Sequence, residues 1–204
     1  MAIDKYQVLA DNVKREFPRF RVTPRNKSWL RPVFALLGFI TRRNYSRFIT
    51  TIGSTMYVSE NWDTLPSTFR YRTLRHELQH IRQFNCWPLG RALWPVNYLL
   101  TALAYLLVLP VFWTMRAHFE RQGYTQTLLV DYELRGHITD RRMERNARWL
   151  AGIFGSSTYF FMWRKKAAYR WAMKTQRAIN EGLITNDRDR VDELHPLGHS
   201  SPPS

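Results

Sequence analysis

The chain has 204 residues, 45% of them hydrophobic and 15% aromatic, enough to bury a core and too apolar for general disorder. Its 31 Lys and Arg against 16 Asp and Glu give a formal charge of +15, so the surface attracts polyanions, whether nucleic acid, anionic lipid or an acidic protein. The single cysteine, Cys86, excludes an internal disulfide and a thiolate cluster and fits a reducing, cytoplasmic setting.

In chain order, residues 4–16 read as a short amphipathic helix. Their charges, from Asp4 to Glu16, leave no apolar core of the kind a secretory signal requires. A strand at Phe20–Thr23 and a turn at Pro24–Asn26 follow, and Ser28 is placed to cap a second helix reaching Ile40. Phe48 to Val58 is β-branched and aromatic, interrupted at Gly53, and predicts a strand or a bent strand pair. After a turn at Asn61–Asp63, Phe69 to Asn85 contains neither Pro nor Gly, and Leu74, Leu78, Ile81 and Phe84 recur at helical spacing. Arg72, Arg75, Gln79 and Arg82 fall on a separate face expected to meet solvent.

A third face of that helix carries His76 and His80, within the run His76-Glu77-Leu78-Gln79-His80. Residues four apart on a helix stack on one side, so both imidazoles can reach one ion, with Glu77 beside the ion's open position, able to take a proton from water. Buried imidazoles and carboxylates need partners. The plain alternative is a helix whose two His face water.

Downstream, the segment 92–115 holds no charged residue and is almost wholly apolar from Tyr98 to Phe112, although Pro95 and Pro110 bracket its core. By length it is a candidate for a bilayer span. Helical periodicity returns at Arg116, again at Thr139–Phe154 and at Arg164–Ile179, with an aromatic patch at Tyr159–Trp163 that reads best as core. The domain is expected to cover residues 1–185. Residues 186–204, ending in Ser200-Ser201-Pro202-Pro203-Ser204, are expected to form a flexible tail. His195 and His199 are four apart, but Pro196 and Gly198 spoil them as a helical pair.

A catalytic zinc takes three protein ligands. The downstream candidates for the third are His118, Glu120, Asp131, Glu133 and His137. Glu120 is favoured because Arg116, Glu120, Tyr124 and Thr127 share a helical face, giving a carboxylate orienting partners one turn to either side. An exposed i, i+4 ion pair of Arg116 with Glu120 explains the same spacing.

The arrangement resembles the gluzincins, zinc metallopeptidases with H-E-x-x-H and a Glu ligand on a later helix. It is more closely similar to small metallopeptidase-like proteins encoded by phages and bacteria, in which R-x-x-x-E-x-x-A-Y follows an apolar stretch. Here the pattern is Arg116, Glu120 and Tyr124, with Gly123 where Ala is usual. The strand at Thr50–Tyr57 and the run Tyr159–Trp163 also look familial, so the likeness covers residues 17–180.

The resemblance implies an α+β, mostly helical, minimal zincin-like domain with a short antiparallel sheet beside the motif helix. In such enzymes the strand before the motif borders the cleft, which would offer the edge of the strand ending near Val58 to an extended substrate. It implies Zn²⁺ held by His76, His80 and Glu120, Glu77 as general base, and a peptide substrate. Tyr124, Arg116, His137 and Tyr159 are candidates for stabilising the oxyanion or orienting the ligands.

One consequence is topological. Were residues 92–115 to cross a bilayer once, His80 and Glu120 would lie on opposite sides; a two-pass hairpin would halve the roughly 20 residues a span needs. A buried core helix, or a shallow or re-entrant insertion with peripheral attachment to an anionic membrane, is expected instead. The competing reading is a non-catalytic basic structural or membrane-associated protein, such as a virion component, that keeps a zinc site. Specific nucleic-acid recognition is not expected, since no binding motif accompanies the charge.

Overall fold

Asp4 starts the first helix by placing Oδ1 over free amides of the first turn, where it accepts from the N–H of Tyr6 at 3.0 Å and Gln7 at 3.4 Å. The computed structural model describes residues 3–28, 49–85, 110–156 and 163–191, with 110–115 as backbone only. These residues form an α+β structure, mostly helical with one small sheet, and group into two compact units, residues 3–85 with 191 and residues 110–190.

The first unit contains α1 (Lys5–Glu16), β1 (Arg21–Pro24), β2 (Thr50–Ile52), β3 (Thr55–Val58) and α2 (Ser67–Asn85). The strand order is β1-β3-β2. Gly53, at φ 61, turns β2 back on β3, so that pair is antiparallel with Thr51 opposite Met56. β1 instead runs parallel to β3, with Val22 opposite Met56. The sheet is therefore mixed rather than antiparallel: the long connection from β1 to β3 permits a parallel pairing that a tight turn does not. β3 is also the central strand, hydrogen-bonded on both sides, which removes it as an edge for substrate. β2, which packs against α2, lies at the sheet edge among the described residues.

In α2 the expected apolar stripe is the buried one, with Leu74, Leu78 and Ile81 at 0–1% exposure. Each such side chain contributes roughly 1.5–3 kcal/mol over leaving it in water. The supposed solvent face is not one. Arg75 is completely buried and its Nη1 donates to the Tyr71 hydroxyl at 2.9 Å. Arg82 grips Glu16 of α1 through Nε at 3.2 Å and Nη2 at 3.0 Å. Trp62, buried between the sheet and α2 in sequence, donates its indole N–H to the Tyr6 hydroxyl at 3.1 Å; burial pushes the Tyr6 phenol up, opposed in part by that bond. The Ser67 hydroxyl donates to Asp4 and is the main reason its carboxyl lies below the ordinary range. The Tyr6 and Gln7 amides and Arg70 act in the same direction, against the opposing effect of burial.

The second unit is built from α3 (Pro110–Arg135), α4 (Asp140–Phe154) and α5 (Lys165–Asn180). Gly136, at φ 74, ends α3 with its N–H on the Tyr132 carbonyl at 2.7 Å. The core combines Leu128, Ile138, Leu150, Phe154 and Ile179 with fully buried Ala147, Ala168 and Ala172, whose small size lets α4 and α5 approach. Gln176, also fully buried, is satisfied at both ends. Its amide donates to the Met143 and Ala172 carbonyls, and its Oε1 accepts from Asn146 at 2.9 Å. Of the aromatic patch, Trp163 packs edge-on against Phe154 at 5.7 Å; Arg121 lies over Trp163 and Trp171 at 5.0 and 5.5 Å.

Residues 186–191, assigned to the tail on composition, are structured. Asn186 donates to Gln126 at 2.7 Å and to Asp189 at 2.8 Å, around a 3-10 turn at Asp187–Asp189. Val191 is buried and its N–H reaches the Tyr71 hydroxyl at 3.4 Å. The helix expected from Ser28 to Ile40, residues 92–109 of the apolar segment, Tyr159, and the His195 and His199 pair lie outside the described residues. Among the described residues, no helix is long and apolar enough to cross a membrane.

Candidate metal centre

α2 presents His76 and His80 one turn apart on the same side, as the i, i+4 spacing requires. Their rings meet edge to face at 5.0 Å between centroids, and the two Nε2 atoms are 3.2 Å apart. His80 is buried and His76 half-buried. Gln83, one turn further on, accepts the His80 Nδ1–H through Oε1 at 2.9 Å. A carboxamide oxygen cannot donate, so the proton of the neutral His80 ring sits on Nδ1 and Nε2 keeps its lone pair.

On α3, Glu120 is 6% exposed. His76, His80 and Glu120 each offer one ligand atom, and these atoms lie within 4.8 Å of one another, a group that could hold a metal ion. The other candidates for a third donor are engaged or placed elsewhere. Asp131 pairs with Arg135 and Arg142, each at 3.4 Å, and accepts from Asn146. His118 is exposed and accepts from the Gln122 amide at 2.9 Å. His137 is exposed beside Asn180, and Glu133 is half-buried outside the group.

Glu77 does not belong to the group of three. It is 6% exposed, and its Oε2 has no hydrogen-bond partner among the described residues. A buried carboxylate oxygen left unpaired costs free energy, and its neighbours along the helix are the two imidazoles. Of the side chains considered for oxyanion or orienting roles, Tyr124 packs its ring into the aromatic core, 5.7 Å from Trp149 and 5.4 Å from Phe154. Arg116 is half-buried on α3.

The donor set fits a small divalent ion. Two imidazole nitrogens at 2.0–2.1 Å from a tetrahedral zinc stand about 3.3 Å apart, close to the 3.2 Å seen between the Nε2 atoms. Two neutral imidazoles and one carboxylate leave a fourth position open.

Gln83 was not anticipated from sequence, although its position three residues beyond His80 on the same helix face was a usable signal. If a divalent ion such as zinc binds this group, replacing Gln83 with Leu is expected to weaken its binding about 10–100-fold, as measured by competition with a chromophoric chelator, because the imidazole loses the bond that fixes its tautomer and orientation. Unchanged affinity would show that α2 alone sets the ring. Comparison of the chain with protein-family models, curated proteins and solved structures yields no match in any of the three.

Proposed function

We propose that the protein is a zinc-dependent peptidase of the gluzincin kind, in which His76, His80 and Glu120 hold the ion and Glu77 is the general base. The observation that carries this reading is the grouping of the three donors, beside which the Glu between the two His has a buried oxygen with no partner among the described residues. A histidine pair with one carboxylate suits zinc better than magnesium or calcium, which prefer all-oxygen shells.

Zinc, when bound, supplies Lewis acidity that polarises a peptide carbonyl and lowers the pKa of water toward about 7. Glu77 accepts the proton of the attacking water, whose oxygen bonds to the peptide carbon. It then returns the proton to the amine nitrogen as the C–N bond breaks. Gln83, by accepting the Nδ1–H of His80, would hold that ring in the tautomer whose Nε2 can ligate the ion. Arg116 and Tyr124, one turn to either side of Glu120 on α3, are the nearest candidates in sequence for steadying that carboxylate or the developing oxyanion.

The substrate in this reading is a protein or peptide in the cytoplasm, or in a virion if the chain is phage-encoded. A second reading, a basic structural protein in which zinc staples the fold without turnover, is favoured by the charge of +15. The two separate on a degenerate peptide library incubated with zinc-loaded protein and read by mass spectrometry. Cleavage that stops on chelation and returns with zinc supports the peptidase; an intact library with folded, zinc-loaded protein sinks it.

A further inference from the structure

Six cations lie along α5 and its N-cap, Arg164 at the cap and Lys165, Lys166, Arg170, Lys174 and Arg177 within the helix, before the first carboxylate, Glu181, at the C-cap. All six are exposed, and none makes an ion pair among the described residues. Lys166, Arg170, Lys174 and Arg177 form one stripe, on the side of α5 opposite the buried Ala168, Ala172, Thr175 and Ile179. Like charges at i, i+4 destabilise a helix. Lys166 with Arg170, and Arg170 with Lys174, are such pairs, so the stripe opposes folding by repulsion unless an anion lies against it.

Along the stripe runs an open groove of about 530 Å³, lined by Arg170, Lys174 and Arg177, by the apolar Tyr169, Met173 and Leu183, and by one carboxylate, Glu181, which leaves the cations in excess there. Leu183, just after Gly182 at φ 71, is 74% exposed. A protruding aliphatic side chain next to a row of cations about 17 Å long suits a lipid surface: the cations meet anionic headgroups and the leucine reaches the acyl boundary. Single-stranded nucleic acid would instead call for flat exposed rings to stack upon, and the groove's aromatic, Tyr169, is half-buried.

We propose that this face of α5 is a docking surface for an anionic membrane, with Lys166, Arg170, Lys174 and Arg177 as the charge contacts and Leu183 as the inserted anchor. The proposal is independent of the metal centre.

The test is co-sedimentation of the full chain with phosphatidylcholine vesicles with and without phosphatidylserine. The wild type is expected to bind only the anionic vesicles, and less as salt rises. Changing the four cations to Gln should lower binding on the order of several hundredfold, at roughly fivefold per cation, with the fold retained by circular dichroism. Leu183→Ser should lower it several-fold at unchanged net charge. A control with Lys14, Arg21, Arg141 and Arg145, all exposed, changed to Gln carries the same net charge as the first variant and should lose far less. Equal loss in both quadruple variants, or no wild-type binding, would overturn the proposal. Tighter, α5-dependent binding to a single-stranded oligonucleotide than to anionic vesicles would overturn it in favour of nucleic acid.

Discussion

Glu77→Gln is expected to keep one zinc per chain while lowering peptide cleavage by about 10²–10⁴, the usual contribution of a positioned proton acceptor. The substitution preserves shape and removes basicity: a carboxamide cannot accept the proton of the attacking water. Because Glu77 is outside the group of three donors, its loss should leave zinc content and affinity within a few-fold of wild type. The variant should also be at least as stable, since it replaces a buried carboxylate whose Oε2 lacks a partner among the described residues with a neutral group. Paired measurements of zinc by elemental mass spectrometry and of cleavage rate check this. Zinc lost along with activity would move Glu77 into the ligand set, and activity retained would exclude it as the base.

The second large effect belongs to the donors themselves. His76→Ala and Glu120→Gln are each expected to weaken zinc binding more than about a hundredfold, beyond what an outer hydrogen-bond partner contributes. Both should abolish cleavage. The ion stabilises whatever state binds it, so wild type at a free zinc level of about a hundred times Kd should gain about 2.7 kcal/mol, seen as a rise in Tm, and the variants should gain almost nothing. Glu120→Gln keeps side-chain volume and His76 is half-buried, so both variants should fold without metal. A full zinc-dependent rise in Tm for Glu120→Gln would place the third ligand elsewhere, with Asp131, Glu133, His118 and His137 the next to vary.

Much of the local structure was readable from residue order, because its causes are local. The 3.6-residue spacing of Leu74, Leu78, Ile81 and Phe84 specifies both a helix and its buried side, and the same spacing places His76 and His80 together whatever surrounds them. Asp4 and Gly53 mark a helix start and a chain reversal by the hydrogen bonds and dihedral angles that their side chains, or the lack of one, permit. The helices at Asp140–Phe154 and Lys165–Asn180 likewise follow from periodicity.

What tertiary structure alone decided depends on partners distant in sequence. A strand's side-chain alternation does not encode its neighbour's direction, so the parallel pairing of β1 with β3, and the central place that removes β3 as an edge, had to be seen. Arg75 reads as a solvent-facing cation on a helical wheel, yet it is buried, with Tyr71 accepting one of its hydrogen bonds. Asn186 to Val191 reads as tail by composition and is held by Gln126 and Tyr71. Five acidic or imidazole residues were open as the third donor, and Glu120 is the one grouped with the histidine pair. Within one helix, geometry follows from sequence spacing; across elements, which side chains meet is a property of packing, where burial and hydrogen-bond satisfaction across the whole chain select one arrangement.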